Sequence, residues 1–146
     1  MKEEALNLPT ISLDKALDCL KPHHRDLMVQ LIASHGEEQA AKAWVLSSGP
    51  DGLERFGGMN QPQKPYWEKL CAEFKLLVCG DSKYSDVRAK INAYTEDHIR
   101  DIVLVISTAI ALKIGLAVAL IVPAVSILCH LATQMGINAW CATGTP

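Results

Sequence analysis

Apolar residues recur at three- and four-residue intervals along most of the chain, and that spacing predicts helices. Ser12 is a good N-cap for a short helix through Leu13, Ala16, Leu17 and Leu20, which Pro22 stops while opening the next. Leu27, Met28, Leu31 and Ile32 stripe a second helix from His23 to Ser34, and Gly36 suits its end. Glu37 and Glu38 place negative charge on the first turn of a third, anchored by Trp44 and broken at Ser47-Ser48-Gly49-Pro50.

Residues 49–65 hold four glycines and three prolines in seventeen positions, too dense for a regular element, and read as a loop or hinge. Beyond it Tyr66, Trp67, Leu70, Phe74, Leu77 and Val78 share one face of a helix that ends at Gly80. Asp81 or Ser82 caps another through Ile91, and Thr95 is the expected cap of the C-terminal segment, with Glu96 and Asp97 in its first turn. No turn-bounded run alternates with period two; only the β-branched cluster from Ile102 to Ile106 hints at a strand. The expected fold class is all-α: a polar head of about five short helices over 1–94, then an apolar segment over 95–146.

That segment departs from the amphipathic pattern. Between Ile102 and Leu112 only Ser107 and Thr108 are polar, and Leu116 to Cys129 has only Ser126. A helix without a polar face lies in the centre of a core or in lipid. The head, with one apolar stripe per helix, is expected to be too small to cover two such helices. The tail should therefore use bilayer, a partner protein or further copies of the chain. Residues 114–133 are long enough for one crossing, with Lys113 snorkelling at one edge and His130 near the other. Pro123 is tolerable there. The other geometry breaks the tail at Lys113-Ile114-Gly115 into a hairpin with its only charge at the turn. The expected membrane or partner contacts are Ile102, Leu104, Ile106, Leu112, Leu116, Leu120, Ile121, Leu128 and Trp140, with Trp44, Tyr66, Trp67 and Phe74 as head packing or contact residues.

Overall charge hides this division. The 146 residues carry 14 basic and 16 acidic side chains, a net of −2, yet the 45 residues after Asp101 carry Lys113 alone. The composition excludes wholesale disorder and a polybasic nucleic-acid arm. An acidic N-terminus without an apolar run predicts a cytoplasmic protein, peripheral or integral at the cytoplasmic membrane if the tail engages it. The odd number of cysteines, five, then predicts free thiols in a reducing compartment.

Motifs for chemistry are weak. Cys19, His23 and His24 are close in sequence, but Pro22 interrupts them and no second ligand pair follows. Cys71 and Cys79 lie two helical turns apart and read as core thiols. Cys129 and His130 are adjacent, so on a helix they point in different directions, and His130 reads as a polar or interfacial end to the apolar run. The stretch from Glu96 to Asp101 is a charged collar at a helix start, and Gly57-Gly58 lacks the residues of a phosphate loop. Lys83, Arg88 and Lys90 are interleaved with Asp81 and Asp86, which is a solvated face and no nucleic-acid track. The expectation is a non-enzymatic membrane-associated adaptor or effector, without metal, cofactor or evident small-molecule substrate. The alternative is a soluble accessory subunit whose tail forms an oligomeric or partner-binding core.

Overall fold

The computed structural model describes residues 6, 8–48, 64–94 and 98–143. Eight α-helices occur among them: α1 Leu13–Asp18, α2 Pro22–His35, α3 Glu37–Ser48, α4 Lys64–Cys79, α5 Ser85–Asn92, α6 Ile99–Ile114, α7 Val118–Met135 and α8 Ile137–Thr143. A 3-10 turn, Ser82–Tyr84, precedes α5. No strand is present among these residues, so the fold is all-α.

Local signals account for several helix ends. The Ser12 hydroxyl accepts from the Lys15 amide at 3.2 Å, and Asp81 accepts from the Lys83 amide at 2.9 Å. Pro22 occupies the first turn of α2, where its missing N–H costs nothing. Helix α6 ends at Gly115 in the left-handed conformation (φ 80°, ψ 27°), which a side chain would strain. The tail is thus the hairpin rather than one continuous 114–133 helix, with arms of 16 and 18 residues. Two expectations shift: the glycine- and proline-rich stretch gives up Lys64 and Pro65 to α4, and its remainder, 49–63, lies outside the described residues. Thr95, Glu96 and Asp97 also lie outside them, and α6 begins after His98 without a side-chain cap.

Helix α7 is the central element. It packs against α1, α2, α3, α6 and α8, and a helix surrounded in this way can be apolar on every side. One buried cluster joins both segments, including Leu17, Met28, Trp44 and Phe74 from the first and Ile106, Ile110, Ile127 and Leu128 from the second. The expectation that the head could not cover two apolar helices is therefore corrected. The head covers their inner faces and leaves part of the outer face of the hairpin open.

Polar side chains of α7 fasten the segment before α1. The Thr133 hydroxyl donates to the Cys129 carbonyl and accepts from the Ile11 amide at 2.9 Å. His130 Nδ1 lies 2.8 Å from the Ile11 carbonyl and Nε2 lies 3.2 Å from Glu37. The Ile11 peptide, buried among apolar groups, is thereby paired on both sides. Pro123 removes the amide that would bond the Ala119 carbonyl. One residue on, the Leu120 carbonyl accepts from Trp44 Nε1 at 2.9 Å, tying α3 to this weakened turn.

A second polar cluster holds α4 to the 3-10 turn and α5. Glu73 accepts from Tyr84 at 2.5 Å and from Lys83 at 2.9 Å, while buried Arg88 donates to the Leu77 and Asp81 carbonyls. Burial alone would raise the Glu73 carboxyl; the bonds from Tyr84 and Lys83 and the Lys83 charge outweigh it and hold the group below its usual value. A lowered folded-state value stabilises the fold fully above the unfolded value of 4.5 and progressively less as pH falls through the folded one. Denaturant unfolding of wild type and Glu73→Gln should therefore show a stability gap at pH 7 that closes in acid. An equal gap at pH 3 would refute the charged role of Glu73.

Candidate functional site

The outer face of the α6–α7 hairpin is the candidate. Along α6, residues at spacing four, Leu104, Thr108 and Leu112, all face outward. Leu104 is 49% exposed and Leu112 80%, beside exposed Lys113 at the turn. Ala117 and Ala119 are exposed and Leu116, Val118 and Leu120 half-buried, so the apolar surface continues around the tip onto α7. The described residues after Asp101 carry one formal charge, Lys113.

The nine tail positions thus divide. Leu104 and Leu112 lie on this face, with Leu116 and Leu120 at its margin. Ile102, Ile106, Ile121, Leu128 and Trp140 are buried in the protein's own core, where Trp140 meets Phe74 edge-to-face with ring centroids 5.3 Å apart. Trp44, Trp67 and Phe74 are buried head packing, and Tyr66 is half-buried against the core. One helix among the described residues, Val118–Met135, is long and apolar enough to cross a membrane, and 61% of it is buried inside the protein.

His130 is not an interfacial end to the apolar run; it is buried between Ile11 and Glu37. Reading along the chain could not find this role, because Ile11 lies 119 residues away. The thiols also need correction. Cys79, at the end of α4, and Cys141, on α8, form a disulfide across a sequence separation of 62, with Cα atoms 5.8 Å apart. Cys19, Cys71 and Cys129 are free. Burial pushes Cys19 up to about 11 and Cys71 to about 12, and raises Cys129 as well, so all three stay protonated and poorly nucleophilic at neutral pH.

The sequence-adjacent chemistry does not converge. The Cys19 thiol donates to the Lys15 carbonyl at 3.4 Å, while His24 packs edge-on against Trp44 at 5.1 Å. Among the described residues no three His, Cys, Asp or Glu side chains are placed to hold a metal ion. The collar supplies His98, Arg100 and Asp101 to an open polar cleft of about 570 Å³, shared with Lys15 and Asp18 of α1. There Arg100 donates to the Asp18 carbonyl at 2.9 Å, and the Asp18 carboxylate pairs with Arg25 at 3.0 Å. These bonds join α1 to α6 and α2, a structural role. Comparison with protein-family models, curated proteins and solved structures finds no match for this chain.

Proposed function

We propose that the protein is a non-enzymatic adaptor or effector that associates with the cytoplasmic membrane through the tip and outer face of the α6–α7 hairpin. The carrying observation is Leu112, 80% exposed at the tip and adjacent to the tail's single charge. An apolar tip bearing a cation suits the interface of an anionic bilayer, where apolar contact and attraction act together. The helices before the hairpin remain available to a protein partner.

Flotation with vesicles of mixed phosphatidylcholine and phosphatidylglycerol tests this reading. Wild type should float with the vesicles, and Leu112→Asp should stay at the bottom of the gradient. Wild type that remains in solution with vesicles, and in the soluble fraction of cells at high salt without detergent, overturns it. Dye leakage from the same vesicles separates an effector that perturbs the bilayer from an anchor that does not.

The burial of most of Val118–Met135 inside the protein favours a second reading, a soluble subunit whose outer hairpin face meets a partner or another copy. Concentration-dependent sedimentation abolished by Leu112→Asp, without flotation, would select it.

A further inference from the structure

A half-open groove of about 310 Å³ lies where the α1–α2 corner meets the open face of the hairpin. Its apolar lining is Leu20 from the corner, Leu104 from α6, and Val118, Ala119 and Val122 from the first turns of α7. Two of these, Leu104 and Ala119, are solvent-exposed, so the groove opens to water along an apolar wall. Its polar lining is Cys19, Lys21 and His24.

The charges select the ligand class. Burial, then His23 and Lys21, lower the His24 imidazole below its ordinary value, which keeps it neutral at pH 7. The Cys19 thiol is protonated. Lys21 is therefore the one charged side chain among the lining residues. An occupant that matches this wall has an apolar body and a single anionic end. At about 30 Å³ for each water-sized group, the space takes roughly ten heavy atoms.

We infer that the groove binds a medium-chain acyl carboxylate, its chain against Leu20, Leu104, Val118 and Val122 and its carboxylate at Lys21. Each methylene taken from water adds to affinity, and the carboxylate sets direction and selects against neutral and cationic amphiphiles. The groove shares Leu104, Val118 and Ala119 with the open face of the hairpin, whereas Leu112 and Lys113 lie outside its lining, so Leu112→Asp, which should abolish flotation and leave decanoate binding intact, separates the two readings.

Isothermal titration of the full chain with decanoate, decanol and decyltrimethylammonium, each below its micelle concentration, provides the test. Decanoate should bind saturably with one site, decanol more weakly, and the cation least. Lys21→Gln should weaken decanoate about fivefold, the scale of a part-exposed ion pair, and leave decanol unchanged. Ala119→Trp should fill the groove and remove binding of both while thermal melting stays cooperative. Leu104→Asn, at an exposed wall position, gives the same readout by weakening every alkyl ligand should the tryptophan variant misfold. Absence of saturable decanoate binding, equal affinity for the three head groups, or wild-type binding by Ala119→Trp or by Leu104→Asn would each overturn the inference.

Discussion

Deletion of residues 102–146 is expected to leave residues 1–101 unfolded. Helix α7 is the common neighbour of α1, α2 and α3, and α6 is that of α4 and α5, so the first five helices would lose the surfaces their apolar stripes cover. The lost side chains include Ile106, Ile110, Ile121, Ile127 and Leu128, each fully buried. Truncation of one such residue costs about 2–5 kcal/mol, against a total stability of about 5–15 kcal/mol for a whole domain. Several together exceed the total. Far-UV circular dichroism and amide dispersion of the 1–101 fragment measure this; a fragment with a cooperative melt would show that the head folds by itself. Leu128→Ala in the full chain is the graded version, with an expected loss in the same 2–5 kcal/mol range.

Reduction of the Cys79–Cys141 bridge should be the next largest change. A link across a sequence separation of 62 removes loop-closure entropy from the unfolded chain, about 4 kcal/mol in the chain-entropy account. In the folded state the bridge holds α8, and with it Trp140 against Phe74, to the end of α4. Denaturant unfolding with and without a dithiol reductant, and of Cys79→Ala with Cys141→Ala, should give the same lowered midpoint. Equal midpoints for oxidised and reduced protein would show that the bridge does not constrain the chain. The compartment matters here, since glutathione and thioredoxin keep most cytosolic thiols reduced. Mass spectrometry of protein isolated under thiol-blocking conditions reads which form the cell maintains.

Much of the fold was legible residue by residue. Ser12, Pro22 and Gly36 mark ends that the helices respect, because a cap or a missing amide acts within one turn, while Gly49 and Pro50 of the expected break after α3 lie outside the described residues. The turn at Lys113-Ile114-Gly115 was one of two geometries consistent with the pattern, and Gly115 adopts the left-handed conformation that closes α6 there. The candidate face was half legible. Leu104 and Leu112 were named as contacts together with Ile106 and Leu128, because apolar character alone does not distinguish a lipid-facing leucine from a core one. Nothing near His130, Thr133, Cys79 or Cys141 in the chain announces the partners they meet, which lie 119, 122 and 62 residues away.

From the sequence alone came the helical class, most of the helix boundaries and the concentration of charge before Asp101, since each depends on spacing and chemistry within a few residues. Tertiary structure alone decided which apolar surface is sheltered. Five helices enclose α7, the same packing pairs the Ile11 peptide and brings two distant cysteines together, and the faces it does not reach are left to water along the outer side of the hairpin and at its tip. Shelter depends on what lies across a contact, and that is set by how the whole chain folds back on itself.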